Sequence, residues 1–157
     1  MKLLIKQRVF SWTDTFDVYD QEGIPRYFVK GEFFSLGHKL HVYDQNGQEI
    51  GVIREKLMSF MPVFEIESQG AYMGRVEKKF TFFRPKYELD YKGWRVEGDF
   101  MNWEYDVYDQ CTSVVHITKE PFHWGDTYVL DFANPEDEQM GLLLVLAIDA
   151  ANCTHGQ

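Results

Sequence analysis

Polar and apolar residues alternate along most of the first 132 residues, and the alternation then gives way to one continuous apolar run. A period of two is typical of strands that bury one face, and no segment before residue 134 follows the 3.6-residue period of a helix. The pattern predicts twelve strands, and a thirteenth run at 127–132 competes with them, so that some of the runs must merge. The twelve lie near residues 3–9, 15–19, 26–33, 38–43, 49–55, 62–67, 71–77, 80–83, 87–91, 94–100, 104–108 and 114–118.

A repeated tetrapeptide, Val-Tyr-Asp-Gln, leads from a strand into a turn at 18–21, 42–45 and 107–110. Its aspartates, Asp20, Asp44 and Asp109, could form a row of carboxylates at one rim. An aspartate at the start of a turn accepts backbone N–H bonds two residues further on, and we therefore favour a role in the turns.

The apolar run belongs to the one predicted long helix, Pro135–Asn152. The Asn134 side chain is placed to accept hydrogen bonds from the first turn, and Pro135 stands where a missing N–H costs nothing. Three acidic residues follow at the positive end of the helix dipole. Leu142–Val145 cover nearly the whole circumference, and a helix that is apolar all round must be buried on all sides.

A membrane span is the rival interpretation of this helix. Spanning a bilayer takes about 20 apolar residues. The uninterrupted run covers only Leu142–Ile148, and Asp149 closes it. We therefore interpret the helix as part of a buried core, with no transmembrane segment.

The strand count predicts a mainly β fold, a closed antiparallel barrel around a central hydrophobic C-terminal helix. Twelve strands spaced about 4.8 Å apart and tilted about 40° close at a radius of roughly 12 Å. An inner layer of side chains and a helix fill that space, whereas eight strands would fill their own interior. The runner-up is an open, curled sheet wrapped on the same helix. With 157 residues, the chain is expected to form a single domain, 1–157.

The formal charge of −9 argues against nucleic acid as a partner, because phosphate binding draws on lysine and arginine. It also argues against simple adhesion to anionic membranes unless the charge is segregated. Cys111 and Cys153 have no metal-ligand spacing, and free buried thiols in a reducing cytoplasm are favoured over one disulfide. No signal peptide is recognisable, and a cytoplasmic protein is expected, either free or peripheral to the membrane.

Residues 75–86 form the one basic stretch, with five cations against a single glutamate. As a binding site it would take an anionic headgroup or phosphate, with interleaved phenylalanines at the interface. The alternative, which charge runs usually represent, is a solvated face of a strand pair. We call its five cations the basic island: Arg75, Lys78, Lys79, Arg84 and Lys86.

Asp149 is unusual because it lies on a helix predicted to be buried. It could be a catalytic acid, but one titratable group without partners makes no active site, and we interpret it as a structural buried acid. The histidines and cysteines show no ligand or nucleophile spacing, and no phosphate-loop, dinucleotide or serine-hydrolase motif occurs. We expect no catalytic residues, no metal and no cofactor.

Several short motifs follow one another along nearly the whole chain: residues 6–12 (KQRVFSW), 16–20 (FDVYD), 31–32 (GE), 40–44 (LHVYD), 53–56 (IREK), 93–94 (GW), 98–100 (GDF), 126–128 (DTY) and 147–149 (AID). In this fairly specific order they resemble the LURP-one-related family, as a bacterial-type single-domain member. That family is similar in fold to the tubby C-terminal domain and to phospholipid scramblases, so the resemblance implies a barrel of about a dozen strands around a hydrophobic helix. Tubby domains bind phosphoinositides and scramblases act on membranes, but no tubby phosphoinositide motif occurs here, and no binding residues carry over.

The leading functional hypothesis is a non-enzymatic binding module whose ligand binds outside the barrel, because the helix fills the interior. The basic island is the favoured site, for an anionic phospholipid headgroup or another phosphorylated ligand. The alternative is a protein-interaction or scaffold domain, and an uncharacterised enzyme ranks third. The alternative would use an exposed cluster of Met58, Phe60, Met61 and Phe64, although the alternation assigns part of it to the core.

Overall fold

Twelve antiparallel strands form a single sheet in the computed structural model, which describes residues 1–6, 15–34, 37–122 and 125–153. The sheet is mainly a meander, since most strands pair with their neighbours in sequence. The strands are β1 (Lys2–Ile5), β2 (Thr15–Asp20), β3 (Pro25–Phe34), β4 (Gly37–Asp44), β5 (Glu49–Glu55), β6 (Val63–Ser68), β7 (Ala71–Lys79), β8 (Lys86–Asp90), β9 (Arg95–Asp99), β10 (Glu104–Asp109), β11 (Thr112–Phe122) and β12 (Gly125–Phe132).

The barrel is nearly closed. Strand β1 pairs with both β2 and β12, which joins the first and last strands. Strands β8 and β9 are the two ends of the sheet and share no hydrogen-bonded register, although they are adjacent along the chain. The rings of Tyr87 and Phe100 meet edge to face across this seam, 4.8 Å apart. The predicted mainly β barrel is confirmed, with side-chain packing in place of backbone bonds at one seam.

One predicted strand was wrong. The run at 80–83 lies in the loop between β7 and β8, and its phenylalanines are exposed. The competing run at 127–132 is a strand, β12, paired with β1 and β11. Thirteen runs therefore reduce to twelve by the loss of one. Part of the first predicted strand, residues 7–9, lies outside the described residues.

The helix predicted at Pro135–Asn152 begins as a 3₁₀ turn, Pro135–Asp137, and continues as α1, Glu138–Cys153. Ten consecutive residues, Leu142–Ala151, are buried within the barrel, as expected for a helix that is apolar all round. The predicted side-chain cap was wrong: the Asn134 side chain makes no capping bond, and its backbone carbonyl accepts the N–H of Asp137 instead.

The connections alternate between the two ends of the barrel because neighbouring strands are antiparallel. We call the end with the short connections 21–24, 45–48 and 69–70 the turn end, and the end with connections 56–62, 80–85 and 100–103 the loop end. At the turn end, Oδ1 of Asp20 and of Asp44 each accepts two backbone N–H bonds within its own turn. The predicted turn role of these two aspartates is confirmed.

Polar contacts hold both ends of α1. At the turn end the Tyr27 hydroxyl donates to the Glu138 carboxylate over 2.5 Å, and Arg26 lies 3.3 Å from the same oxygen. At the loop end the Tyr87 hydroxyl donates to Oδ1 of Asn152 over 2.7 Å. The helix therefore crosses the barrel from the turn end to the loop end.

Candidate functional site

The basic island does not form one patch. Arg75, Glu77 and Lys79 alternate onto the outer face of β7. There, Arg75 lies opposite Glu65 of β6 and Asp90 of β8 in the strand registers. These opposed charges balance Arg75, which lies nearer the turn end than the rest of the island.

Lys79 is also balanced by carboxylates. Its ammonium group lies 3.3 Å from Glu77 and 3.4 Å from Glu88. The hydrogen bonds that this ammonium donates, first to Glu77 and then to Glu88, raise the pKa of Lys79 above its usual value. At Lys79 the outer face of β7 is therefore a solvated strand surface with paired charges. This is the alternative to a binding site that the sequence left open.

The remaining cations of the island lie near an exposed apolar surface at the loop end. Lys78 is the penultimate residue of β7, Arg84 lies in the following loop, and Lys86 begins β8. Arg84 and Lys86 are both exposed. Phe82 and Phe83 in the same loop are 89% and 94% exposed, and Phe60 and Met58 in the 56–62 loop are exposed to a similar or greater extent. We call the following set the loop-end surface: Lys56, Met58, Phe60, Lys78, Phe80, Phe82, Phe83, Arg84 and Lys86.

The two loops of this surface lie side by side and are tied to the barrel. The N–H of Lys78 donates to the carbonyl of Pro62, and the N–H of Lys56 donates to the carbonyl of Val63. Met61 lines a cavity of about 240 Å³ together with residues 78–85. Backbone hydrogen bonds therefore fix the bases of both loops, and the positions of their exposed apolar side chains depend on these bonds.

The interaction cluster expected from the sequence is only partly exposed. Met58 and Phe60 are exposed and Met61 is half-buried, but Phe64 is completely buried on β6. The alternation assigned part of this cluster to the core, and Phe64 is that part, because its inward position on β6 puts its ring in the barrel core. The exposed phenylalanines at 80, 82 and 83 belong to the neighbouring loop and line one cavity together with Met61.

A second cavity, of about 290 Å³, lies at the loop end of the seam between β8 and β9. Residues 83–85, just before β8, form one wall, and residues 98–102, at the end of β9, form the other. Within it, Oδ1 of Asp99 accepts the backbone N–H groups of Met101 and Asn102, each over 3.2 Å. Hydrogen bonds from Asn102 and Met101, together with the charge of Arg84, lower the pKa of Asp99 below its usual value.

Asp149 is buried on the inner helix, 6% exposed, as the sequence predicted. Glu138 is the buried acid that sequence reasoning missed. It stood among three acidic residues assigned to the helix dipole, yet it is only 3% exposed and receives hydrogen bonds from Tyr27 and Arg26. Nothing in the spacing marked it, because its partners come from β3, 111 and 112 residues earlier.

Three histidines pair with carboxylates. Nδ1 of His38 lies 2.6 Å from Glu55, and Nδ1 of His116 lies 3.0 Å from Asp106. His41 lies between two carboxylates on neighbouring strands, Glu32 and Glu49. Within the described ranges, no group of three His, Cys, Asp or Glu side chains is placed to hold a metal ion.

Neither Cys111 nor Cys153 forms a disulfide. Cys111 is exposed in the turn before β11, and Cys153 is half-buried at the end of α1. The expectation that both thiols are buried was therefore wrong, since Cys111 is exposed and Cys153 is only partly buried. Among the described residues, no helix has the length and apolar character needed to cross a membrane.

Comparison with known proteins agrees with this architecture. The X-ray structure of an Arabidopsis thaliana protein, AT5G01750, superposes with a TM-score of 0.63 over 95% of this chain and 90% of that chain, at 17% identity. A Bacillus subtilis (strain 168) protein, described as uncharacterized protein YxjI, is 34% identical over 149 residues, which are 95% of this chain and 92% of the relative. The sequence model of the LURP-one-related family matches residues 1–149. The chain therefore belongs to the LURP-one-related family.

Proposed function

We propose that this protein is a non-enzymatic binding module that attaches to anionic phospholipid surfaces through its loop end. The observation that carries the proposal is the loop-end surface, where exposed phenylalanines and a methionine lie on two loops, and four cations lie on these loops or at the strand ends beside them. Aromatic side chains favour the boundary between headgroups and acyl chains, and lysine and arginine are attracted to anionic headgroups. The interior is filled by α1, so the ligand surface must be external.

The charge distribution supports an anionic partner despite the net charge of −9. Lys56, Lys78, Arg84 and Lys86 are grouped at the loop end, whereas the acidic partners of Arg75 and Lys79 lie along the outer wall. Each cation close to an anionic surface contributes about 1 kcal/mol, and each phenylalanine side chain that is fully buried contributes about 1.5–3 kcal/mol. A few such residues suffice for reversible attachment, with the protein at the cytoplasmic face of the membrane.

The experiment is flotation with vesicles of phosphatidylglycerol or of phosphatidylcholine at low salt. We expect the wild type to float with the anionic vesicles and to be released by salt. Replacing both Phe82 and Phe83 by serine should abolish flotation, and replacing Arg84 and Lys86 by glutamine should weaken it. Ile24→Ser, which removes an exposed apolar side chain at the turn end, is the matched control and should float like wild type.

Failure to float with either kind of vesicle would contradict membrane attachment. The second candidate is a protein-interaction domain that uses the same surface, and it is favoured by the size of the exposed apolar group at Met58, Phe60, Phe82 and Phe83. Loss of vesicle binding together with self-association that the Phe82 and Phe83 substitutions abolish would favour this second function.

A further inference from the structure

The cavity between residues 83–85 and 98–102 combines one cation and one anion with apolar side chains. Arg84 and Asp99 both line it, and Phe83, Phe100 and Met101 complete much of its wall. We call it the Arg84–Asp99 cavity. It opens at the loop end, and Phe83 and Met101, both exposed, stand at its edges.

The two charges in this cavity are only partly satisfied by the protein. Arg84 forms no ion pair with any side chain among the described residues, and its backbone N–H donates to the hydroxyl oxygen of Thr81. The Asp99 carboxylate accepts three hydrogen bonds from residues 101 and 102, and both it and Arg84 remain open to solvent. An ionised carboxylate has about four acceptor positions, which leaves Asp99 capacity for a further donor.

This pair of charges selects between kinds of headgroup. A purely anionic group bound at Arg84 would lie beside the Asp99 carboxylate, and a simple cation bound at Asp99 would lie beside the Arg84 guanidinium. A group that carries a phosphate and an ammonium a few bonds apart satisfies both. The planar guanidinium suits a phosphate, and an ammonium is attracted both by a carboxylate and by the faces of aromatic rings.

We propose that the Arg84–Asp99 cavity binds the phosphate–ammonium headgroup of a zwitterionic phospholipid, a phosphocholine or phosphoethanolamine, at the surface of the membrane. The phosphate contacts Arg84 and the ammonium contacts Asp99 and the phenylalanine rings. A cavity of about 290 Å³ is near the lower end of the range for small-molecule sites, which suits a headgroup and leaves the acyl chains outside. The inference rests on the proposed membrane attachment, in which anionic lipids supply the general attraction and this cavity supplies headgroup selectivity.

The experiment compares two sets of vesicles with the same fraction of phosphatidylglycerol, the remainder being phosphatidylcholine in one and an uncharged glycolipid in the other. The readout is the ratio of the two partition coefficients. Wild type should prefer the phosphatidylcholine vesicles by about fivefold, the size expected for one solvent-exposed ion pair plus an exposed cation–π contact. Asp99→Asn and Arg84→Gln should bring the ratio close to one.

A matched control separates this selectivity from a general change of charge. Glu97→Gln removes one negative charge from an exposed position of β9, the strand whose last two residues line the cavity, but Glu97 itself is outside that lining. This variant should keep the wild-type ratio. Asp99→Asn retains an acceptor for the N–H groups of residues 101 and 102. If its melting temperature nevertheless falls, Arg84→Gln, a change at an exposed loop position, carries the test.

The outcomes distinguish the two proposals. Absence of binding to both sets of vesicles contradicts the membrane attachment itself. Strong binding with a wild-type ratio of one, or a high ratio that neither variant changes, overturns the headgroup assignment while the attachment stands. Displacement from the vesicles by soluble phosphocholine, at a concentration equal to that of the lipid, would overturn the lipid assignment in favour of a free phosphorylated amine.

Discussion

The contact between Gly51 of β5 and Leu143 of α1 offers a direct test of how the helix sits inside the barrel. A Cβ added at Gly51 would lie 2.6 Å from both methyl carbons of Leu143 and 3.1 Å from the carbonyl oxygen of Glu67. On an open strand, Gly→Ala stabilises by about 0.5–1 kcal/mol. Here we expect Gly51→Ala to destabilise by about 1–2 kcal/mol, because overpacking in a closed core typically costs about 1–3 kcal/mol.

Leu143→Ala should have the larger effect, because the side chain is completely buried. Its loss should cost about 3 kcal/mol, within the range for leucine-to-alanine changes in cores. For a protein of this size that corresponds to a fall in melting temperature of about 6–12 °C. Out of a total stability of about 5–15 kcal/mol, the variant should still fold.

The double variant carries the test. When Leu143 is truncated, the methyl group added at Gly51 enters the vacated space, so the two costs should not add. We expect a favourable coupling of about 1–2 kcal/mol between the two sites, measured by urea denaturation followed by circular dichroism. Equal m-values for the four proteins would show that the same surface unfolds in each.

Additive costs, to within about 0.5 kcal/mol, would refute the packing of α1 against β5. The control cycle combines Gly51→Ala with Leu57→Ala, since Leu57 lies at the loop end and is 45% exposed. That pair should be additive. A coupling of similar size in the control would indicate a general effect of lost stability rather than direct packing of residue 51 against Leu143.

Three further predictions concern the buried hydroxyls and one strained glycine. Tyr27→Phe should destabilise by about 1.5–3 kcal/mol in urea denaturation, because it removes a hydrogen bond to a buried carboxylate, whereas Tyr72→Phe at an exposed site should change little; equal effects would contradict this role of the hydroxyl. Burial is the main cause that raises the pKa of both Tyr27 and Tyr87. The two hydroxyls contribute fully to stability below the unfolded pKa near 10, and this contribution is lost as the pH rises above that value. The melting temperature should therefore fall more steeply with alkaline pH in wild type than in the Tyr27→Phe, Tyr87→Phe double variant. Parallel pH dependences of the two melting temperatures would contradict this role of the hydroxyls. Gly98→Ala should cost at least about 2 kcal/mol, because φ is +143° and a Cβ would lie 2.5 Å from the backbone of β10. At Gly93, which also has a positive φ but open space, the same change should cost less, and a reversed order of the two melting temperatures would contradict the packing explanation.

Much of the fold could be predicted because its signals are local. Alternation located most strands, and turn residues such as Asp44 marked their ends. The run at 80–83 was misassigned because three phenylalanines in four residues look like a strand when their exposure is unknown. Whether an aromatic run pairs or projects depends on its neighbours in space, and those come from the 56–62 loop.

The candidate site was only partly accessible to sequence reasoning. The basic island was visible as a charge run, but its division into balanced and available cations was not. Arg75 and Lys79 lie opposite carboxylates on β6 and β8, which offset their charge. Arg84 instead lines a cavity whose other wall is about 15 residues further along the chain. The registers of three strands decide which charges meet, and no spacing within one strand contains that information.

The sequence by itself determined that this chain forms a mainly β barrel around an apolar helix. The physical reason is that both patterns are local in the sequence. The apolar faces of the strands and the helix that is apolar all round are buried together when the sheet curls around the helix. Only the tertiary structure decided that β8 and β9 meet through side chains, that Glu138 is buried with Tyr27 and Arg26, and that the phenylalanines at 80–83 are exposed. Each of these depends on groups distant in sequence, whose contacts are set by the register of the barrel and the position of the helix within it.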